Sequence, residues 1–465
     1  MQFIAHGAAQ EVTGTCHELQ VGKHRILLDC GLFQGHRKEA AVKNAQLNFN
    51  PEDIDALLLS HAHTDHVGRI PVLWKNGFRK PVFSTYATRD LADVMLRDGG
   101  YIQEKDEEYF CRHLGKSMMA CEGPLYTQKD AEECMVLFKG INMHEWIDVC
   151  PGVRAQFLNA GHILGSAMIV LELTENGEKL RVGFSGDLGR KHLPIIPDPD
   201  PMPALDVLIC ESTYGDRKHD DIATARGKLK DVIIRAAKRG GKVLIPAFSL
   251  ERTQEILYDI HMLWDAKEIP PVPIIIDSPL ASNITDVFMK HPESFDREMY
   301  DDFLSRAHSP FQFSLVRHTE TSDDSKALNK TPGPMVIMAG SGMCEAGRIR
   351  HHLRNELEDA RNIVLAVGYM GKDTLGGKLL DREIAQVKIF DQMYRKNAEI
   401  VYIDAYSGHA DCDDLDAYVK SIPDLRTLIL VHGELDQMQA FGGRMQQARS
   451  LNVFMPERDK PLALA

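Results

Sequence analysis

Short apolar runs that each stop at a polar side chain recur along this chain. CHELQVGKHRILLDCG, from residue 16, predicts two strands around a glycine-containing turn, the second ending at Asp29. IDALLLS predicts a buried strand that leads straight into SHAHTDHVG, and a helix is expected over DHVGRIPVLWKNG. VRAQFLNA predicts a strand before GHILGS, which puts His162 on a Gly-flanked loop. SAMIVLELTENGEKLRVGFSGDLG reads as a hairpin turning at ENGE and delivering Asp187, and LDVLICESTYGDR as a strand ending at Glu211. Residues 87–140 are helical and acidic in pattern and are assigned no chemistry.

Beyond Glu211 the texture changes to alternating helix and strand, with strands at KVLIPAF, PIIID, PMVIMAG and NIVLAVG. That rhythm predicts a parallel sheet with helices on both faces, hence a second domain. Two of its strand-to-helix turns, AFSLER with Ser249 and Arg252, and AGSGMCEAG with Ser341, join small residues to a helix N-terminus, where backbone amides can hold phosphate. After Phe390 the strand-end rhythm resumes, with His409 in EIVYIDAYSGHADCDDL and His432 in TLILVHGELDQ. The expected organisation is a first domain over 1–211, interrupted by a second over 212–390 and completed by 391–465.

Composition narrows the class. Hydrophobic content of 44% and charged content of 26% are those of a globular protein. The net charge of −13 excludes an obviously basic nucleic-acid binder. Residues 212–390 are nearly neutral, however, so the acidity lies in the flanks, where bound divalent ions would offset part of it. Nine cysteines without a C-x-x-C pair are expected to be reduced and mostly buried. No apolar run approaches the ~18 residues that span a bilayer, and the N-terminus lacks a basic-then-apolar leader, so no membrane partner and a cytoplasmic location are expected.

The chemistry concentrates in His61, His63, Asp65 and His66. Imidazoles and carboxylates are preferred ligands of borderline divalent metals, and alternation along an extended segment points His61 and His63 the same way. Asp65 and His66 begin the next turn and aim elsewhere, so one loop can feed two adjacent metal positions. Asp29, at a strand end, is a candidate outer partner that fixes a histidine's tautomer. His162 and Asp187, each unremarkable alone, gain meaning as further metal-type side chains at strand ends.

The ordered set Asp29, HAHTDH at 61–66, His162, Asp187, Glu211 in ESTYGD, His409 in SGHAD and His432 in VHGE resembles the metallo-β-lactamase-fold nucleases with an inserted β-CASP domain, nearly end to end. The resemblance implies an α/β fold: an αββα sandwich with an inserted parallel sheet flanked by helices, closing over the metal edge. It implies two zinc ions, one on His61, His63 and His162, the other on Asp65, His66 and His432, with Asp187 bridging. It further implies that His409, oriented by Glu211, protonates the departing sugar oxygen and that Asp29 braces the metal loop, with Asp65 and Asp187 completing the catalytic set. His432, where DNA-acting members tend to carry an aliphatic residue, favours single-stranded RNA as substrate, in the cleft between the domains. Arg348, Lys372 and Lys378, with Ser249, Arg252, Ser341 and Ser407, are the candidate RNA phosphate contacts. A homodimer is compatible with the sequence.

Three other functions compete. A DNA nuclease of the same superfamily is the nearest. A small-molecule metallo-hydrolase would not need the insert, and a non-catalytic scaffold would be expected to have lost ligand positions that are all filled here.

Overall fold

The computed structural model describes residues 1–35, 37–113, 123–305 and 309–464. Two compact units emerge, the first from residues 1–191, 198–218 and 409–465, the second from 192–197 and 219–408.

The first unit contains two seven-stranded sheets. One has the order Pro461–Ala463, Gln2–Gly7, Cys16–Val21, His24–Leu28, Ala56–Leu58, Val82–Thr85, Phe138–Ile141. The other runs Asn452–Phe454, Thr427–Val431, Val207–Glu211, Glu178–Phe184, Ala167–Glu175, Val153–Asn159, Trp146–Cys150. Period-2 alternation explains how they pack. Phe3, Leu19, Ile26, Leu28 and Leu58 of one sheet meet Phe157, Ile169, Leu171, Phe184, Ile209 and Ile429 of the other in a single buried core. The intervening Met168, Val170, Leu208, Cys210, Leu428 and Leu430 face a second core with Leu415, Val419, Met438 and Phe441, from the helices Cys412–Ser421 and Leu435–Arg449. Burial on both faces is why LDVLIC and TLILV read as unbroken apolar runs. On the first sheet the helix Tyr86–His113 packs against the strands Val82–Thr85 and Phe138–Ile141. The αββα sandwich is thus present. The expected helix over DHVGRIPVLWKNG is two, Thr64–Val67 and Ile70–Lys75, and part of the acidic helical stretch, 114–122, lies outside the described residues.

Register gathers the site at one edge of the sandwich. Leu28 pairs in parallel with Leu58, so Asp29 and Ser60 leave their strands side by side. Phe184 pairs with Ile209, and Glu211 with Val431, so Asp187, Glu211 and His432 emerge together.

The second unit has a six-stranded, all-parallel sheet in the order Val316–His318, Ile274–Ile276, Met335–Ala339, Lys242–Pro246, Ile363–Val367, Glu399–Ile403. The expected return to the first domain at residue 391 is later in the structure. Glu399–Ile403 pairs along its whole length with Ile363–Val367, so the unit runs to Gly408. A short hairpin, Gln386–Ile389 with Gln392–Arg395, has no counterpart in the sequence expectation. Among the described residues seven cysteines are free, whereas Cys111 is disulfide-bonded, a pairing that no C-x-x-C spacing announces. Among the described residues no helix is long and apolar enough to cross a membrane.

One buried carboxylate has a testable effect on stability. Glu18, fully buried, accepts from Arg25 Nε and Nη2 at 2.7 and 2.8 Å and from Gln20 Nε2 at 2.6 Å, with His6 Nε2 at 3.0 Å. Burial would raise its pKa, but the His6, Arg25 and Gln20 donors hold it down at about 2. A group depressed in the folded state adds stability above its unfolded pKa, near 4.5, and that stability is lost as pH falls toward 2. Glu18→Gln is expected to cost on the order of 1–3 kcal/mol at neutral pH and to flatten the acid-induced loss of stability. Calorimetric melting at neutral pH and near pH 3 checks this; identical pH slopes for the two proteins would refute it.

Candidate metal centre

The first sheet's contribution is locked by backbone contacts around HAHTDH. Thr15 N donates to Asp65 O at 2.9 Å, Cys30 N to His66 O at 2.8 Å, and Leu32 N to Thr64 O at 2.9 Å. A Cβ at Gly31 would lie 1.6 Å from Asp65 O, so only glycine lets the segment after Asp29 run this close to the ligand loop. Asp29 itself has φ of 61° and His432 has φ of 48°. Left-handed non-glycine residues cost on the order of 1–3 kcal/mol and persist where the surroundings over-determine them, typically at functional positions.

The imidazole nitrogens of two groups converge. His61 Nε2 and His162 Nε2 lie 3.1 and 3.2 Å from His63 Nδ1. His66 Nε2 and His432 Nε2 are 3.2 Å apart, with Asp65 Oδ2 3.4 Å from the latter. Asp187 stands between the groups: Oδ2 is 3.4 and 3.5 Å from His61 and His162 Nε2, and Oδ1 is 3.2 Å from His66 Nε2. Ligand atoms of His61, His63, His162 and Asp187 fall within 4.8 Å of one another, as do those of Asp65, His66 and His432. Asp187 Oδ1, though buried, accepts no hydrogen bond. Nitrogen lone pairs facing each other around an unsatisfied carboxylate oxygen are what a cation would complete, so the donor set fits metal.

The outer partners order the rings. Asp29 Oδ2 is 2.7 Å from His66 Nδ1, and it also accepts from Ser60 Oγ at 2.7 Å. Ser60 Oγ in turn lies 3.0 Å from His61 Nδ1. Both rings therefore keep Nε2 for the centre. Electrostatics separates the histidines. Burial holds His61 and His63 well below the usual imidazole value, while at His66 the nearby Asp187 and Asp29 outweigh burial and raise it well above. Burial alone would raise the Asp187 carboxyl, yet His432, His66, His61 and His409 hold it well below the usual range.

His409 reaches this centre from a β-bridge to Gly189, reinforced by Ala410 N donating to Leu188 O at 2.7 Å. Its Nδ1 lies 3.1 and 3.2 Å from the two oxygens of Glu211, and its Nε2 is 3.9 Å from Asp187 Oδ2. Burial opposes protonation of His409, but Glu211 and Asp187 overcome it and raise the pKa to about 9. Asp187, Glu211 and His409 also form a third group with metal-ligand spacing.

Sequence reasoning missed two hydroxyls and one amide. Ser60, next to His61, and Thr213, two residues after Glu211, carry no distinguishing signal, and Leu188 N donates to Glu211 Oε1 at 2.6 Å. The seven candidate phosphate contacts all belong to the second unit, whereas the ligand set belongs to the first. Arg348 donates to Asp277 at 2.7 Å and to Thr319 at 3.0 Å, Arg252 is nearly buried against Glu255, and Ser407 is buried. Ser249 Oγ faces Ser278 Oγ at 3.2 Å, and Ala346 N donates to Ser341 Oγ at 3.1 Å. Lys372 and Lys378 are exposed.

Family models match three stretches: the metallo-β-lactamase superfamily over residues 10–82, the β-CASP domain over 253–379, and the Zn-dependent metallo-hydrolase RNA specificity domain over 393–456. The chain is 38% identical over 445 residues to Ribonuclease TTHA0252 of Thermus thermophilus, covering 95% of each. It is 31% identical to an RNase J-like protein of Methanocaldococcus jannaschii, covering 97% of each. To the cleavage and polyadenylation specificity factor 73 of Drosophila melanogaster it is 30% identical, over 94% of this chain and 60% of that one. A crystal structure of a protein of unknown function from Enterococcus faecalis V583 matches over 99% of both chains with a TM-score of 0.55 at 13% identity, a likeness of fold alone.

Proposed function

Since the chain belongs to the metallo-β-lactamase-fold, β-CASP family and is a metal-dependent nuclease of it, we propose that it is a zinc-dependent ribonuclease with two ions bound at the sandwich edge. The observation that carries this reading is the convergence of two ligand groups on opposite oxygens of Asp187. His61, His63 and His162 would hold one ion and Asp65, His66 and His432 the other, with Asp187 serving both. Two such ions would supply Lewis-acid charge stabilisation and a nucleophile derived from water at a phosphodiester.

The protein's own groups supply orientation and the proton. Asp29 and Ser60 hold His66 and His61 with Nε2 inward, so the centre is preformed. His409, with Nδ1 against the Glu211 carboxylate, is poised to give the proton on Nε2 to the departing sugar oxygen. The third group of ligand spacing would instead make His409 a ligand through Nε2, and that nitrogen would then carry no proton to give to the leaving oxygen. For substrate we propose single-stranded RNA; the similarity over nearly the full length to a ribonuclease of Thermus thermophilus supports RNA as the polymer. Its backbone would be gripped partly by the loops that follow the carboxyl ends of the parallel strands Lys242–Pro246, Met335–Ala339 and Ile363–Val367, where Ser249, Ser341 and Lys372 lie.

End-labelled RNA and DNA of one sequence, incubated with the zinc-loaded protein, test this. RNA should be cut while DNA stays largely intact. Equal cleavage of both would remove the RNA assignment, and full activity without any bound transition metal would remove the metal one.

A further inference from the structure

Thr213 follows the strand Val207–Glu211 and lies within hydrogen-bond distance of two parts of the proposed machinery. Its Oγ1 is 2.5 Å from Glu211 Oε2, 3.1 Å from His432 Nδ1 and 3.2 Å from His432 O. A hydroxyl has one proton to give and lone pairs to receive with, whereas a carboxylate can only accept. The proton goes to Glu211, because a bond to an ionised acceptor is shorter and roughly twice as strong as a neutral one. The oxygen is then left as an acceptor toward His432, so the ring proton sits on Nδ1. His432 Nε2 consequently carries the free lone pair, and it is this atom that faces His66 Nε2 and Asp65 Oδ2.

From this we infer that Thr213 is a positioning residue that fixes His432 as the Nδ1–H tautomer and so readies it as a metal ligand. The inference rests on the metal-dependent reading of the site. The same device occurs at the other sheet, where Ser60 Oγ gives its proton to Asp29 and stands 3.0 Å from His61 Nδ1. One carboxylate, Glu211, therefore serves two histidines, touching His409 directly and reaching His432 through Thr213.

The test compares wild type with Thr213→Val, which keeps the shape and removes the hydroxyl, and with Thr213→Ser, which restores it. Long-range proton–nitrogen NMR spectra of the metal-free proteins should show His432 as the Nδ1–H tautomer in wild type and Thr213→Ser, and not in Thr213→Val. Zinc affinity, read by competition with a chromophoric chelator, should fall by about 10–100-fold in Thr213→Val, the usual cost of losing an outer-shell partner. Thr213→Ser should stay close to wild type. Should Thr213→Val not fold, Thr213→Ala carries the same comparison. An unchanged tautomer with undiminished zinc affinity in the hydroxyl-free variant overturns the inference. A wild-type chain that takes up no zinc overturns the metal reading instead, while the spectra of the metal-free proteins still decide the role of Thr213.

Discussion

Asp187→Asn should leave a folded protein that has lost both its metal and its activity. The carboxylate is buried, and its two oxygens face separate histidine groups: Oδ2 toward His61 and His162, Oδ1 toward His66. An amide keeps the shape but gives up the negative charge and turns one of the two oxygens into a donor, so one ion position would face an N–H. Losing an outer-shell partner costs 10–100-fold in metal affinity, and loss of a carboxylate that both histidine groups face should exceed the top of that range, beyond about 10²-fold. The histidines would then repel one another if protonated, since Asp187 is a main source of their compensation. Elemental analysis of the purified variant, with RNA cleavage measured on the same preparation, checks this. Two retained zinc ions in Asp187→Asn would show that the ligand grouping is wrong.

His409→Ala should separate substrates rather than abolish all chemistry. If His409 donates a proton to the leaving oxygen, its loss matters in proportion to how basic that oxygen is. A ribose alkoxide needs the proton, and a nitrophenolate hardly does. RNA cleavage is therefore expected to fall on the order of 10²–10⁴-fold, the usual worth of general-acid catalysis, while hydrolysis of bis(p-nitrophenyl) phosphate keeps much of its rate. Metal content has to be followed in parallel, because His409 Nε2 lies 3.9 Å from Asp187 Oδ2 and its group has ligand spacing. A variant that keeps its zinc but loses both activities equally would exclude the general-acid role. Glu211→Gln should lean the same way as His409→Ala, since the Glu211 carboxylate is what holds Nδ1 in place and favours the imidazolium.

The strand ends were legible in the sequence because each is a local event. An apolar run buried on both faces needs no partner to be recognised, and the polar residue that ends it marks where the chain leaves the sheet, as at Asp29, His61, Glu211 and His432. Helix and strand alternation likewise announced the parallel sheet of the second unit. What stayed hidden depends on partners far away in sequence. Asp65 meets His432 across 367 positions only because parallel registers bring strand ends to one edge. Ser60 and Thr213 are ordinary hydroxyl residues until folding places a carboxylate on one side and an imidazole on the other. Arg348 and Arg252 read as open cations in sequence, yet each is committed to a carboxylate, Asp277 and Glu255. Glu399–Ile403 could have joined either unit on its apolar pattern, and its pairing with Ile363–Val367 decided the matter. Apolar patterning says that a strand will be buried, whereas hydrogen-bond pairing says beside which neighbour, and only the second is set by the whole chain.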